Sequence, residues 1–335
     1  MVGVDVAAEP GDLQERMDAR LQPLLDIAAG RPALSGTVAE QRLVADARAA
    51  EDRERFAGPV MSVGEVTTHM VEVSGGAIGV RLYFPQLDGG SKGEGVPVHV
   101  HLHPGGWWRG TLEAADRSCR EMAALGGCIV ASVEYRLAPE NRFPVPFTDC
   151  YEAVCWIADN ASTFGGDAAR LSIGGVSAGA NLAAAVTVHA VAGGGPTIIA
   201  QVLQLPVLDL SLNRPSVSRC GQGFFLTEEA IRAFAAHYLG PDGDARDPRA
   251  SPLLADHRGL PRALVLTAEL DPVGDDGADY ARSLRQVGVE VVSVCFPEMI
   301  HITPIDVERL VPDVAEASRG MIASFLRETY ETACG

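Results

Sequence analysis

The 335-residue chain is poor in positive charge: 27 Lys and Arg stand against 44 Asp and Glu, for a formal net charge of −17. Phosphate backbones and anionic lipid surfaces are bound through basic faces, so nucleic acid and an acidic membrane are unfavourable partners. No uninterrupted apolar run approaches the ~18 residues of a membrane span. The opening MVGVDVAAEP lacks the basic start and apolar core of a secretory signal, which leads to the expectation of a cytoplasmic protein. Seven cysteines (Cys119, Cys128, Cys150, Cys155, Cys220, Cys295 and Cys334) include no CxxC pair, so neither a zinc knuckle nor a thioredoxin-type centre is indicated. Most of them sit in apolar surroundings, where a thiol behaves as a small hydrophobe. Internal repeats and low-complexity tracts are also missing.

What remains is a composition ordinary for a globular protein, 47% hydrophobic and 21% charged. Residues 1–55 are rich in Ala, Leu, Arg and Glu and read as helical. From about residue 60 the texture changes. VTTHMVEV and IGVRLYF alternate apolar and polar residues around a turn at Ser74–Gly76, and QLDGGSKGEG follows as a Gly-rich loop. Beyond it, short apolar strands (VPVHVHL, CIVASVEY, RLSIGGV, TIIAQVLQLPVL, RALVLTAEL, EVVSVCF) take turns with helical segments. One of those helices, TDCYEAVCWIADNA, is expected to start at Thr148 as its N-cap. This alternation predicts an α/β fold, a mostly parallel sheet flanked by helices. Residues 211–248 break the rhythm with a loop and a short helix that Thr227 caps and Pro241 ends. The expected organisation is a helical cap made from 1–55 and 211–248, over a core made from 56–210 and 249–335. Inserts of this kind commonly lie above the carboxyl edge of the sheet.

One motif carries chemistry. Gly175-Val176-Ser177-Ala178-Gly179 fits G-x-S-x-G and stands between a strand and a helix, the context that gives the pattern its meaning. A tight strand–helix turn strains the serine backbone and excludes bulky neighbours, and its Oγ then faces a helix N-terminus that favours negative charge. A serine alone is a weak nucleophile, so a base, an orienting carboxylate and oxyanion donors must be found. Of the histidines after Ser177, His189 and His237 fall within helices and His257 in a loop before a strand. His301 follows strand EVVSVCF in the loop FPEMIHITP, where it can reach the sheet edge. Asp271 directly follows strand ALVLTAEL and precedes Pro272. Glu269 still belongs to that strand, and Asp275 and Asp276 read as first-turn carboxylates of the next helix. HLHPGGWW ends a strand in paired glycines, so Gly105 and Gly106 can offer unobstructed N–H groups, with Ala178 as a third donor.

Together these residues resemble the bacterial hormone-sensitive-lipase-like carboxylesterases of the α/β-hydrolase fold. His103-Pro104-Gly105-Gly106-Trp107 is similar to the family's HGGGW box, Tyr135 to Glu140 reproduces YRLAPE, and Gly175 to Ala180 resembles GDSAGG, continued by Asn181-Leu182. Asp271-Pro272-Val273 with Asp276-Gly277 resembles DPL and its following Asp-Gly, and Glu298 to His301 resembles the GxxHGF box. The likeness spans roughly residues 80–305. It implies a serine carboxylic-ester hydrolase with Ser177, Asp271 and His301 as triad and Gly105, Gly106 and Ala178 as oxyanion hole. It implies no cofactor and no metal; the expected partners are a small-molecule ester and, at most, a second copy of the chain. Pro104, Val176, Ala180 and Ile302 depart from the family pattern without removing a catalytic atom.

Other readings of the same residues stand beside this one. An acyltransferase, thioesterase or cyclising enzyme acting on a biosynthetic intermediate would use the same nucleophile, and a small-molecule receptor could retain the fold. His99, His101 and His103 recur at strand spacing as half of a metal site would, but no acidic or cysteine cluster accompanies them. Gly174, Gly175 and Gly179 do not form a dinucleotide fingerprint. Trp107, Trp108, Phe224, Phe225 and Ile302 are candidate substrate contacts; for the four aromatics, packing is an equal alternative.

Overall fold

The computed structural model describes residues 10–86 and 95–333; the first nine residues, positions 87–94 of the Gly-rich loop, Cys334 and Gly335 lie outside the described residues. Eight strands form one sheet in the order β1-β2-β4-β3-β5-β6-β7-β8. β1 (Glu65–Val73) and β2 (Gly76–Phe84) make an antiparallel hairpin, and β2 also runs antiparallel to β4 (Ile129–Val133). The other neighbours are parallel: β4 with β3 (Val96–Leu102), then β5 (Gly166–Val176), β6 (Ala200–Gln204), β7 (Arg262–Leu270) and β8 (Val291–Ile300).

Ten α-helices appear among the described residues. Three precede the sheet: α1 (Pro10–Arg16), α2 (Gln22–Ala29) and α3 (Val38–Phe56). The start of α3 is set by a capping box, in which Thr37 accepts from the Glu40 N–H and Glu40 accepts from the Thr37 N–H. α4 (Leu112–Gly126) begins at the Thr111 cap and stops at left-handed Gly127. α5 (Val145–Asn160) and α6 (Ala178–Gly193) follow, then α7 (Pro215–Cys220) and α8 (Glu228–Leu239), and finally α9 (Gly274–Gln286) and α10 (Pro312–Thr332). One core forms where α5, α6 and α9 cover one face of the sheet, and a second where α4 and α10 cover the other. α6 is apolar almost all round and correspondingly buried, as befits a helix packed behind a central strand. Among the described residues no helix is long and apolar enough to cross a membrane.

Several local expectations are revised. α5 starts at Val145, with Pro144 rather than Thr148 at the N-cap; Pro146 fits the first turn because an N–H there has no helical partner to lose. β6 is shorter than its apolar run, because Leu205 turns to a φ of 48° and Pro206 has no N–H for a ladder. The 211–248 insert holds two helices, α7 and α8, the latter capped by Thr227 as its sequence suggests. β8 runs on to Ile300, so His301 stands directly at a strand end instead of within a loop. Cys119, Cys128, Cys150 and Cys220 are buried as their apolar settings suggest, whereas Cys295 is exposed.

β3 places His99 and His101 in the core, and His103 is equally buried just past the strand end. His99 Nδ1 lies 2.8 Å from Ser172 Oγ, which is 2.6 Å from the Tyr330 hydroxyl on α10. Neither ring nitrogen of His101 has a hydrogen-bond partner among the described residues. Burial drives these imidazoles neutral: it pushes His99 and His101 down to about 3 and His103 to about 4. Asp276, in the first turn of α9, accepts from the N–H groups of Leu208 and Asp209, and burial pushes it up to about 7.

These groups make stability depend on pH. Below about pH 6.5 the unfolded chain binds histidine protons that the folded state refuses, so each buried imidazole removes about 1.4 kcal/mol of stability per pH unit down to its folded pKa. Asp276 acts in the opposite sense, because the folded state takes up its proton first as pH falls below about 7. Glu121 and Asp306, also raised by burial, act with Asp276. His101→Leu isolates one imidazole from this balance. In urea denaturation between about pH 6 and pH 5, the variant is expected to lose about 1.4 kcal/mol less per pH unit than the wild-type protein. Identical slopes for the two proteins would contradict a neutral buried imidazole at position 101.

Candidate active site

Ser177 occupies the turn between β5 and α6 with φ 55° and ψ −115°, a region that costs a non-glycine residue roughly 1–3 kcal/mol. Its N–H donates to the Gln204 carbonyl at 2.8 Å, and its carbonyl accepts from the Asn181 N–H at 3.0 Å. The buried Asn181 side chain in turn donates to the carbonyls of Val207 and Ala250, at 2.8 Å each. These bonds join the first turn of α6 to the chain leaving β6 and to the segment after the 211–248 insert. The flanking glycines are steric necessities. A Cβ on Gly175 would lie 2.6 Å from the Leu102 carbonyl oxygen, and one on Gly179 would lie closer still to that oxygen and 2.6 Å from that of His103.

The structure brings Ser177, His301 and Asp271 into one line. His301 Nε2 is 2.9 Å from Ser177 Oγ and Nδ1 is 2.7 Å from Asp271 Oδ2. A carboxylate can only accept, so Nδ1 carries the proton toward Asp271 and Nε2 is free to accept from the serine hydroxyl. Asp271 is fully buried, and its Oδ1 accepts from the Val273 N–H at 2.9 Å. The β7–β8 pairing shifts register between Ala268 and Leu270, where Glu298 adopts φ 61° and its N–H donates to Glu269 Oε2 at 2.9 Å. Arg16 of α1 pairs with Glu269, and the Asp18 N–H donates to the Glu298 carbonyl at 3.1 Å. Glu269 therefore ties the irregular end of β8 to the N-terminal helices.

Beyond β3 the chain turns at Gly105 (φ 130°), Gly106 (φ 58°) and Trp107 (φ 61°). A Cβ on Gly105 would strike the Arg109 carbonyl, and one on Gly106 would meet the Phe234 ring at 2.7 Å. Ala178 is the first residue of α6, so its N–H has no partner within its own helix. Tyr135 supports this loop from below: its hydroxyl donates to the His103 carbonyl at 2.8 Å, and its ring stacks on His103 at 4.2 Å. Arg42 of α3 supports it from the side, donating to the carbonyls of Trp108 and Ala138 and pairing with Glu140 at 2.6 Å. Tyr135 and Glu140 lie in the YRLAPE segment already singled out, whereas no sequence signal marked Arg42 or Glu269.

A cavity of about 320 Å³ opens over Ser177 and His301 and reaches Gly105 and Gly106. Residues of α2, α3 and α8 line it together with core residues. Of the candidate substrate contacts, Trp107, Phe225 and Ile302 line the cavity. Trp108 and Phe224 do not; both are buried, and Trp108 packs 5.7 Å from the Phe234 ring. Trp107 also stacks on Tyr238 at 4.7 Å. Among the described residues no cluster of metal-ligating side chains occurs.

Residues 99–304 match the Abhydrolase_3 family, of the alpha/beta hydrolase fold. The chain is 38% identical over 252 residues to the carboxylesterase NlhH of Mycobacterium tuberculosis, covering 73% of this chain and 77% of that protein. It is 37% identical to an ethyl acetate hydrolase of Pseudomonas putida, covering 74% and 77% of the two chains. Among solved structures, the ester-hydrolase EH1AB1 from the metagenome of Lake Arreo, complexed with a bipyridine phosphonate derivative, superposes with a TM-score of 0.87 at 33% identity. That likeness covers 94% of this chain and 99% of the other.

A Cβ at position 179 meets two backbone carbonyls that cannot rotate away, so Gly179→Ala should lower stability by roughly 3 kcal/mol. Chemical denaturation measures this; a loss below about 0.5 kcal/mol, the range of neutral surface substitutions, would show that the turn is not tightly constrained.

Proposed function

The chain belongs to the hormone-sensitive-lipase-like Abhydrolase_3 family and is a serine-type carboxylic-ester hydrolase, and from that premise we propose that Ser177 is its nucleophile, His301 its general base and Asp271 the carboxylate that orients the base. The observation that carries the assignment is the continuous hydrogen-bonded line from Asp271 through His301 to Ser177, at 2.7 and 2.9 Å. Ser177 Oγ attacks the ester carbonyl while His301 Nε2 takes its proton. The carbonyl oxygen becomes an oxyanion, which the N–H groups of Gly105, Gly106 and Ala178 receive. The N-terminus of α6 adds a favourable field there. As the tetrahedral species collapses, His301 returns the proton to the leaving alcohol, and Ser177 holds the acyl group. A water molecule, deprotonated by the same imidazole, releases the acid. Throughout, Asp271 keeps Nδ1 protonated and stabilises the imidazolium.

The helices of residues 1–55 and the 211–248 insert act as a cap in this reading, because both contribute to the cavity wall over the serine. The cavity volume suits small or medium esters. Val176 and Ile302 place branched side chains on its wall next to the serine and the imidazole.

Two variants test the assignment on p-nitrophenyl acetate and butyrate. Ser177→Ala is expected to lower kcat by about 10⁶, and Asp271→Asn by about 10⁴ through loss of the correct tautomer. Wild-type turnover by Ser177→Ala would overturn the assignment.

A further inference from the structure

The cavity over Ser177 has two unlike walls. Leu226 and Ile231 with Phe225 and Phe234 make one of them apolar. The other carries Asp46, Asp52 and Arg53 from α3, Arg109 from the end of the glycine loop, and Asp306 from beyond β8. These side chains are half-buried, and not all of their charge is paired directly within the cavity wall. Asp52 is fully engaged by Arg31 through two bonds of 2.7 Å. Asp306 accepts from the Thr303 hydroxyl; burial raises its pKa, while the charges of Arg53 and Arg117 act to lower it. Arg109 reaches Asp46 only at 3.7 Å. Among the described residues the Arg53 guanidinium makes no direct hydrogen bond or ion pair; it acts on Asp306 and on Arg109 only through longer-range charge, attracting the first and repelling the second.

A guanidinium offers five N–H donors in a planar fork matched to a carboxylate. We infer that Arg53, with Arg109 beside it, binds a carboxylate carried by the substrate, so that the enzyme prefers half-esters of dicarboxylic acids over neutral esters of equal length. The esterified carboxyl then lies at Ser177, the nucleophile on which this reading rests, and the free one points toward α3. The net charge of −17 opposes an approaching anion at long range, but salt screens such repulsion beyond about 10 Å, whereas a bidentate contact inside the cavity is not screened in this way.

The test compares monoethyl adipate with ethyl hexanoate, which share a six-carbon acyl chain and differ in a terminal carboxylate or methyl, by ethanol release. For the wild-type protein, kcat/KM is expected to be about tenfold or more higher for the half-ester, with the difference mainly in KM. Arg53→Gln should lower the half-ester to neutral-ester ratio about tenfold, Arg53→Lys should lower it less, and Arg53→Glu should bring it below one. The wild-type comparison is informative even if a variant fails to fold. Turnover of ethyl hexanoate without half-ester preference, or a ratio unchanged by Arg53→Gln, overturns the inference and leaves the ester-hydrolase mechanism standing. No turnover of either ester, with no labelling of Ser177 by a fluorophosphonate, overturns the mechanism as well.

Discussion

The site depends on one close backbone approach: the first turn of α6 lies against the carbonyls that end β3. Two glycines permit it, and neither Gly175 nor Gly179 has room for a methyl group. Because the backbones meet there, the strained Ser177 and the Gly105–Gly106 turn become neighbours although they lie far apart in the chain. The strain is held by bonds to Gln204 and Asn181, and so by β6 and the chain that leaves it. Ser177 and the N–H groups proposed as oxyanion donors are thereby positioned by the core of the sheet rather than by surface loops. Electrostatic preorganisation requires that rigidity, since donors aimed in advance need not reorganise as charge develops.

The imidazole arrives by a different route. β8 is an edge strand, and its last residues leave regular pairing where Glu298 takes a positive φ and Glu269 captures its N–H. Arg16 and Asp18 attach the N-terminal helices to the same point. The N-terminal segment, whose α2 and α3 line the cavity, is thus bonded to the strand end that carries His301. Arg42 makes an equivalent connection from α3 to the glycine loop. Residues outside the sheet are therefore hydrogen-bonded to both parts of the candidate site.

Much of this could be read before any coordinates. Alternating apolar strands and helices specify the parallel sheet because burial on both faces demands continuous apolar strands. G-x-S-x-G in its strand–helix setting, the glycine pair after HLHP and the Asp-Pro after a strand are local patterns whose meaning is steric, and sterics act over a few residues. The misreadings were also local in origin. Thr148 resembles a cap, but the prolines at 144 and 146 begin the helix earlier, and an apolar run alone could not show that Leu205 would turn out of β6. Trp108 and Phe224 differ from Trp107 and Phe225 only in which way the folded chain points them.

The sequence alone determined the fold class, the serine turn and the residue types able to serve it, because each follows from short-range geometry, periodicity and hydrogen-bonding chemistry. Tertiary structure decided which distant groups meet: the line from Asp271 to Ser177, the support from Tyr135, Arg42 and Glu269, and the placement of Arg53 at the cavity wall. Those pairings depend on side-chain direction and on long-range contact between elements, and neither is encoded in the spacing of residues along the chain.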